Sequence, residues 1–399
     1  MKVIFVSYYD FRAQSGMHIF HLANALALQG VECAVYSCGD PDTVSRYGRP
    51  QFRSYGSLRT SPKHFAAMLD NSKEDSLVHC WTPRESSRVV AGTLAQALKA
   101  PLLVHMEDNE EEIFKVNSAE YAPEFLADSA NWLPGGELFE YSHPERSKAF
   151  ISSAQGYTCL IEALLDFKPD FVPGHVFWPA CGEPEVFDIP RQSSPEEKAR
   201  WGIPADHVTL FYPGSLHLAN IDEMTQLYCA VALLHRAGMP VRIIKFGNYG
   251  LDIPQQVFSA FNAQDCLVDL TDKITHADIP QVMRATDILV QPGENNAFNK
   301  YRFPCKLPLF MASGRPVILP VANLGQYLQH GENCLLLKNG GAEEISSLIS
   351  YLVKNPYQAR SIGAKGRAFA AEHFSWEKSA SGLYDFYQEI LATWRTKET

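Results

Sequence analysis

A polar loop in the second half of the chain gathers charged side chains of the kinds that bind phosphate. It follows an apolar run and holds four of them in close succession: Glu294, Lys300, Arg302 and Lys306. Arginine offers a planar fork to a phosphate group and lysine a compact positive charge, so these side chains could converge on a phosphate-bearing ligand. From the spacing alone, a solvent-exposed loop whose charges never meet is an equally good interpretation.

Glycines stand at the ends of predicted strands. Gly16 precedes the first helix, Gly214 precedes a later one, and Gly247 ends the next strand. Glycine lets the backbone approach a ligand closely, and the N–H groups at a helix start attract anions. An ordinary turn between strand and helix explains each glycine equally well. The dinucleotide fingerprint GxGxxG and the phosphate loop GxxxxGK[ST] do not occur in the sequence, which disfavours the common dehydrogenases and kinases.

Short apolar runs, predicted as strands, alternate with helical segments in each half of the chain. In the first half the predicted elements are the strands Val3–Val6, Cys33–Tyr36, Leu77–Trp81 and Leu102–Met106 and the helices Met17–Leu28 and Arg84–Lys99. In the second half the predicted strands are Thr209–Tyr212, Val241–Phe246, Cys266–Leu270, Ile288–Gln291 and Val317–Leu319. This alternation predicts an α/β fold of two Rossmann-like domains with parallel sheets. Ligands of such folds bind at the carboxyl ends of the strands, where the glycines and the charged loop lie.

The pattern changes between the two halves. Residues 107–168 are acidic at first, then aromatic, and interrupted by proline and glycine, which predicts helices and loops. Residues 169–195 are rich in proline and glycine, as a linker between domains would be. We place the first domain at residues 1–185 and the second at residues 186–375, and the final third is predicted to be largely helical.

Composition and charge narrow the function classes. The 399 residues carry a formal net charge of −10, which argues against a broad hold on nucleic acid or anionic lipid. The scattered cysteines, with no CxxC pair, are typical of reduced thiols in an intracellular protein and disfavour a zinc site. The first residues are predicted to be a strand and not a signal peptide. We expect a soluble cytoplasmic protein, with peripheral contact at the inner face of the membrane left open.

Residues 291–318 resemble the donor-binding signature of two-domain (GT-B) glycosyltransferases, in particular the large retaining family 4. The match is to the variant FNxxRFPxKLxEYMAxGRPV, beginning at Phe298 and ending at Val317. SGMHIFHLANALALQG resembles the first glycine loop and helix of that family, and VTLFYPGSLHLANIDEM resembles the opening of its donor-side domain. EHFSWEKSASGLYDFYQEIL resembles its closing helix, at residues 376–399 here, which usually packs back on the first domain. The resemblance therefore covers nearly the whole chain.

The resemblance implies a transfer reaction. A sugar would pass from a nucleotide diphosphate donor, such as a UDP- or GDP-sugar, to a hydroxyl of a glycan, glycolipid or small-molecule acceptor in polysaccharide biosynthesis. The implied donor-side residues are Gly16, Gly214, Ser215, Asn220, Gly247, Glu294 and Asn299, together with Arg302 and Lys306 on the leaving diphosphate. The implied acceptor-side residues are His18, Trp81 and Asp108, together with Glu107 beside the transferred sugar. Retention of anomeric configuration, without a metal ion or other cofactor, is implied as well.

Several positions depart from the family. Leu309 replaces a glutamate that would bind the ribose, and Ser215 and Asn220 replace an arginine and a lysine that grip the diphosphate. Glu107 stands where a histidine is common. A carboxylate there could orient sugar hydroxyls or accept the acceptor's proton, in which case inversion becomes possible. The alternative for Glu107 is an acidic helix start favoured by the helix dipole.

Two other functions stay open at this point. A GT-B homologue that has lost its diphosphate grip could act as a non-catalytic binding or partner subunit, which the residues at positions 215, 220 and 309 favour. The surviving basic pair in the 291–318 loop opposes that interpretation. A GT-B sugar-nucleotide epimerase would instead convert a donor with no acceptor added. Sugar transfer is the interpretation that accounts for most of these residues.

Overall fold

Two sets of parallel strands determine the layout of the chain. The computed structural model describes residues 1–56, 60–69, 75–181, 184–190, 192–247 and 252–398. The first unit comprises Met1–Pro179, Tyr301–Phe303 and Ser375–Thr399, and the second comprises Ala180–Lys300 and Pro304–Phe374. The segment Tyr301–Phe303 therefore belongs to the first unit, although its neighbours on both sides belong to the second. No sequence pattern predicts that exchange.

The strands of the first unit form one parallel sheet. They are β1 Lys2–Ser7, β2 Glu32–Ser37, β3 Arg53–Gly56, β4 Ser76–Trp81, β5 Leu102–Met106, β6 Gly156–Cys159 and β7 Gly174–Val176. Across the sheet they lie in the order β3-β2-β1-β4-β5-β6-β7. Phe5 of β1 pairs with Val35 of β2 on one side and with His79 of β4 on the other. Such central strands are buried on both faces, which explains their continuous apolar runs.

Helices cover this sheet and connect its strands. They are α1 Gln14–Leu28, α2 Pro62–Met68, α3 Glu85–Leu98, α4 Glu110–Asn117, α5 Pro123–Ala127 and α6 Pro144–Ser153. At the start of α3, the N–H groups of Glu85 and Ser86 donate to the carbonyls of Tyr141 and Phe139. The segment before α6 thus satisfies donors that a helix start leaves without an intrahelical partner.

The strands of the second unit form a second parallel sheet. They are β8 Val208–Pro213, β9 Val241–Phe246, β10 Leu267–Asp269, β11 Ile288–Val290, β12 Val317–Pro320 and β13 Leu335–Leu337, in the order β10-β9-β8-β11-β12-β13. The helices are α7 Pro195–Ala199, α8 Ile221–Arg236, α9 Ile253–Ala260, α10 Ile279–Ala285, α11 Ala297–Lys300, α12 Leu307–Ala312, α13 Ala342–Lys354 and α14 Pro356–His373. In both sheets the strand order reverses beside the first strand, where open α/β sheets place their ligand crevices.

The last helix, α15 at Trp376–Glu398, packs on the first unit. Its Tyr387 hydroxyl lies 2.7 Å from Nδ1 of His79, and Ser379 donates to the carbonyl of Trp178 at 2.7 Å. Leu383 on the same helix is fully buried. Burial of a side chain of that size contributes roughly 1.5–3 kcal/mol. The prediction that the closing helix packs back on the N-terminal domain is confirmed.

Each sheet has its own apolar core. In the first unit Ile4, Val78 and Val104 are fully buried on the central strands, and in the second Val231 of α8 and Ile349 of α13 share one cluster. The two Rossmann-like α/β sheets predicted from the sequence are therefore present. None of the helices in the described part of the chain combines the length and the hydropathy that crossing a bilayer requires.

Four short strands, β3, β6, β7 and β13, lie where none was predicted. β6 falls within the stretch predicted as helices and loops, and β7 falls within the predicted linker. Each of these two begins with a glycine, at Gly156 and Gly174, and is too short to show a recognisable apolar run. Their pairing partners decide their conformation, because β6 is hydrogen-bonded between β5 and β7.

Candidate active site

Glu107 is the first residue after β5, at the carboxyl edge of the first sheet. Nδ1 of His18, on α1, lies 2.5 Å from one oxygen of its carboxylate, and Ser15 of the same helix donates to the other. The Glu107 side chain is 11% exposed, and His18 is fully buried. Gly16 makes this packing possible, because a Cβ there would lie 2.5 Å from the Cα of Phe11. The glycine thus serves the packing of α1, while its neighbours make the polar contacts.

The surroundings of Glu107 keep it ionised. Burial works to raise the pKa of its carboxyl group, but the charge and hydrogen bond of His18, together with the Ser15 and Trp81 side chains, outweigh it. The pKa of Glu107 therefore falls below its ordinary value. Because a carboxylate of low basicity is a weak general base, this geometry favours a fixed negative charge that accepts hydrogen bonds.

Trp81 and His18, both predicted to face an acceptor, lie beneath the surface of the site. Trp81 is fully buried, and its ring centre is 3.8 Å from that of His105. The His18 ring lies 5.8 Å from the ring of Trp376 at the start of α15. In this arrangement both side chains support Glu107, and neither presents a surface to a bound sugar.

Asp108 is the titratable carboxyl group of this edge. Burial raises its pKa to about 6, Arg302 and Arg84 oppose the shift, and the carboxylates of Glu107 and Glu110 add to it. A carboxyl group with a pKa near neutrality can accept a proton from a substrate hydroxyl, which the lowered pKa of Glu107 disfavours. By basicity, Asp108 is therefore the stronger general base of the two.

The family resemblance groups Arg302 with Lys306 on a diphosphate. Arg302 belongs to the first unit, whereas Lys306 belongs to the second. Its neighbour Tyr301 donates to Asp166 of the first unit at 3.0 Å. Within the first unit, the Arg302 charge acts on the acidic edge described above.

Lys306 lies beside the glycine loop of the second unit. Its amine is 3.3 Å from the Tyr212 hydroxyl and 4.8 Å from the centre of that ring. Its chain also borders Gly214, where a Cβ would fall 3.2 Å from Cε of Lys306. Because Tyr212 lies at the end of β8 and Lys306 directly precedes α12, two elements hold the amine at the carboxyl edge of the second sheet.

Gly247 holds a second loop against the first. Its φ of +125° suits glycine, and a Cβ there would lie 2.7 Å from the carbonyl carbon of Gly214. The N–H of Gly214 in turn donates to the carbonyl of Phe246 at 2.7 Å. Two loops of bare backbone thus meet next to the Lys306 amine, where a phosphate group could approach closely.

Asn220, where the family places a lysine, braces the glycine loop. Its Nδ2 donates to the carbonyl of Ser215 at 3.0 Å, and its Oδ1 accepts from the N–H of His217 at 3.0 Å. Asn220 is buried and Ser215 is exposed. Asn220 therefore shapes the loop, and Ser215 is the residue of the pair that a ligand can reach.

Glu294 and Asn299 both belong to the charged loop but differ in solvent exposure. Glu294 is exposed, whereas Asn299 is buried and donates from Nδ2 to the carboxylate of Glu223 on α8. Sequence analysis missed Glu223, because an acidic residue in the first turn of a helix is ordinary. Its partner 76 positions away becomes apparent only in the fold.

Lys245 is a buried cation that sequence analysis also missed. Its amine donates to the carbonyl of Gly247 at 2.7 Å, and Thr271 donates to the same oxygen at 3.0 Å. Burial lowers the pKa of Lys245 to about 7, while Asp269 pulls it upward. A lysine within a buried strand is rare, and that rarity is the signal that could have identified it.

A cavity of about 350 Å³ lies beside the acidic edge of the first unit. Met106 at the end of β5 and Glu110 on α4 line one part of it, and Lys148 and Phe167 line another. A larger hollow of about 490 Å³ in the second unit lies between α13 and the C-terminal end of α8, away from the carboxyl ends of the strands. The first cavity therefore borders the carboxyl end of β5, although neither Glu107 nor Asp108 lines it.

Comparison with known proteins connects this geometry to a family. Residues 207–355 match the family described as Glycosyl transferases group 1. The D-inositol 3-phosphate glycosyltransferase of Saccharomonospora viridis is 23% identical over 212 residues, which are 50% of this chain and 46% of that protein. The chain thus spans about half the length of the curated relatives it matches.

Solved structures share the fold over nearly the entire chain. Anabaena HepE in complex with UDP and glucose has a TM-score of 0.70 at 15% identity, over 98% of this chain and 100% of that one. Sucrose-phosphate synthase from Thermosynechococcus elongatus has a TM-score of 0.72 at 16% identity, with the same coverage. At such identities the likeness establishes the fold alone. The chain thus has the GT-B fold, and its residues 207–355 are similar to the Glycosyl transferases group 1.

Proposed function

We propose that this protein transfers a sugar from a nucleoside diphosphate sugar to a hydroxyl group of an acceptor. The observation that carries the proposal is the Lys306 amine beside the touching backbone loops of Gly214 and Gly247. Glycine backbone that a ligand can approach closely and one amine, both at the carboxyl edge of a parallel sheet, suit a diphosphate. UDP is the first nucleotide to test, because HepE, a protein of the same fold, binds it.

In the proposed reaction the second unit holds the donor. Gly214, Ser215 and Lys306 bind the diphosphate, and the lysine stabilises the negative charge that develops on it as the bond to the sugar breaks. Glu294, which is exposed, reaches the sugar hydroxyls. Much of the acceleration comes from holding donor and acceptor in reactive geometry.

The acceptor binds at the acidic edge of the first unit, in the cavity lined by Met106 and Glu110. Its hydroxyl belongs to a glycan, a glycolipid or a small polyol, as in polysaccharide assembly. The low basicity of Glu107 favours retention of configuration, with that carboxylate stabilising positive charge on the sugar. Proton nuclear magnetic resonance of the first product formed distinguishes retention from inversion, and an inverted product would instead assign the base role to Asp108.

We also propose that catalysis requires no metal ion, because Lys306 and backbone dipoles stabilise the negative charge of the diphosphate. Transfer should then continue unchanged in excess EDTA. A loss of activity that added Mg²⁺ or Mn²⁺ restores would contradict this part of the proposal.

The first unit carries a segment suited to a membrane surface, and we propose that the protein contacts the cytoplasmic face of a membrane there. Residues 43–69 contain no carboxylate, and Arg46, Arg49, Arg53 and Lys63 are all exposed. Clustered basic side chains attract anionic lipid at about 1 kcal/mol each. Wild-type protein should sediment with phosphatidylglycerol vesicles but not with phosphatidylcholine vesicles. The double variant Arg49→Glu/Arg53→Glu should sediment with neither. Equal recovery with both lipids would refute the contact.

The test of the donor site is a thermal-shift screen against UDP, GDP, ADP and CMP and their sugar conjugates. A ligand at about 100 times its Kd stabilises the folded state by about 2.7 kcal/mol, which is readily visible. We expect one nucleotide to raise the Tm of the wild type and to lose that effect in Lys306→Ala. Lys300→Ala is the matched control, because Lys300 is an exposed lysine of the same loop.

The same screen separates the alternatives. Binding of a nucleotide diphosphate without turnover of any sugar conjugate would favour a non-catalytic partner subunit. Conversion of a sugar nucleotide with no acceptor present would favour an epimerase. No shift with any nucleotide would refute the donor site itself.

A further inference from the structure

A buried polar cluster lies beneath the charged loop of the second unit. It joins three elements that are distant in sequence: Glu223 in the first turn of α8, Asn299 on α11 and Asn323 after β12. All three side chains are at most 8% exposed. Polar groups buried to this extent are normally held by hydrogen bonds, because an unsatisfied one is costly to bury.

The contacts within the cluster are specific. Nδ2 of Asn299 donates to the carboxylate of Glu223, and Nδ2 of Asn323 donates to the backbone carbonyl of Asn299 at 3.2 Å. Asn323 adopts a left-handed backbone with φ of 47°, and its own Oδ1 accepts from the N–H of Leu324 at 2.7 Å. A left-handed residue other than glycine is uncommon, so the surrounding structure must hold it in place.

The cluster touches the turn that carries Glu294. At Gly293, the residue before it, a Cβ would lie 3.1 Å from Nδ2 of Asn299 and 3.3 Å from the Glu223 carboxylate. A Cβ at Gly340 would lie only 2.4 Å from the Gly293 carbonyl oxygen, so that oxygen packs closely against the Gly340 backbone. The peptide preceding Glu294 therefore lies between the carboxylate–amide pair and a second loop.

That second loop is itself fixed. The Glu344 carboxylate accepts hydrogen bonds from three consecutive backbone N–H groups, those of Lys338, Asn339 and Gly340, at 2.7–2.9 Å. The turn at Gly293 thus has a rigid contact on the Gly340 side, and its position depends on the pair formed by Glu223 and Asn299. The Lys306 amine, in contrast, is held by Tyr212.

We propose that Glu223 is a positioning residue for the donor sugar: through Asn299 it fixes the turn that presents Glu294. This inference rests on the proposed function, in which Lys306 binds the diphosphate and Glu294 binds the sugar. Glu223 should therefore control how much more tightly the protein binds a nucleotide sugar than the bare nucleotide. It should contribute little to the affinity for the nucleotide.

The test compares the Kd values of UDP and UDP-glucose by calorimetry in wild type and in Glu223→Ala. We expect the Kd of UDP to change by less than about twofold, while the preference for UDP-glucose over UDP falls about tenfold, equivalent to one good hydrogen bond to the sugar. Glu223→Gln keeps an oxygen that accepts from Asn299 and should restore most of the preference. An unchanged preference in Glu223→Ala would overturn the inference.

Asp222→Asn is the matched control. Asp222 lies in the same first turn of α8 but is exposed, so its loss removes a similar helix-start charge without touching Asn299. An effect as large as that of Glu223→Ala would trace the result to helix electrostatics and overturn the inference. If Glu223→Ala does not fold, Asn299→Ala removes the same hydrogen bond from the other side, and the same ratio is measured.

The inference and the proposed function fail differently. If wild-type protein binds neither UDP nor UDP-glucose, the inference is overturned. If no nucleotide in the screen changes the Tm, the proposed function is overturned as well. Wild-type protein that prefers UDP-glucose, beside a Glu223→Ala variant with the same preference, would overturn the inference alone.

Discussion

Two fully buried histidines on neighbouring strands, His79 and His105, should make the first unit lose stability in mild acid. Burial lowers the pKa of His79 from 6.5 to about 3, and it lowers that of His105 well below the same value. Both imidazoles share the Thr158 hydroxyl, and the other nitrogen of His79 lies 2.7 Å from the Tyr387 hydroxyl on α15. Because both rings are fully buried, a charge on either one is strongly disfavoured.

The sign and size of the effect follow from these pKa values. Because the folded pKa is the lower one, the unfolded chain binds more protons below about pH 6.5, so stability is present above that pH and lost as the pH falls. Between about pH 8 and about pH 5.5, one such histidine removes about 1.4 kcal/mol from the free energy of unfolding. The pair removes about 3 kcal/mol, a large fraction of the stability of an ordinary domain.

The assay is urea unfolding at both pH values, followed by tryptophan fluorescence, in wild type and in His79→Gln. Glutamine can still hydrogen-bond to Thr158 and Tyr387 but does not titrate in this range. The variant should lose about 1.4 kcal/mol less than the wild type over the same interval. His64→Gln, at an exposed histidine, is the control and should behave as wild type. Parallel pH profiles of wild type and His79→Gln would show that His79 does not cause the loss of stability.

Three further outcomes are expected. Glu107→Gln should lower the rate of transfer on the order of 100-fold, because the carboxylate is expected to stabilise the transition state. The Kd of UDP should stay within about twofold. A loss of UDP affinity without a loss of rate would contradict this prediction. Gly247→Ala should abolish UDP binding, because its Cβ would clash with the Gly214 backbone. Gly238→Ala is the control: its Cβ would meet nothing within 4 Å, so UDP binding should stay intact. Equal UDP binding by both variants would contradict this prediction. Leu309→Glu, which restores the acidic residue usual in the family, should tighten UDP binding if the ribose lies there, and unchanged affinity would place the ribose elsewhere.

The fold could be predicted from the sequence where one residue pattern determines one element. Val3–Val6 is a continuous apolar run, and the structure buries it on both faces at the centre of the first sheet. Strands β6 and β7 lack such a run, so only the neighbouring strands determine their conformation. The membership of Tyr301–Phe303 in the first unit depends on tertiary packing, which leaves no local pattern.

The candidate site was predictable in part. The glycines at positions 214 and 247 and the lysine at position 306 do meet, because residues after the strands of a parallel sheet share one edge. The sequence did not indicate that Glu107 is paired with His18, since the two are 89 positions apart. Nor did it indicate that Asn299 is buried against Glu223, because an asparagine in a polar loop is usually solvent-exposed.

The path of the chain through Tyr301–Phe303 matters for recombination between relatives. Under the proposed function, a chimera that exchanges residues 180–374 as one block would take the donor-side unit from one parent and most of the acceptor-side unit from the other. Arg302, the cation that acts on Asp108, would travel with the donor block. A chimera that inherits the donor preference of one parent would then also inherit Arg302 of that parent at the acceptor edge. Donor and acceptor specificity therefore cannot be exchanged independently at those junctions. Restoring the native tripeptide at residues 301–303 of the acceptor-side parent would separate them again.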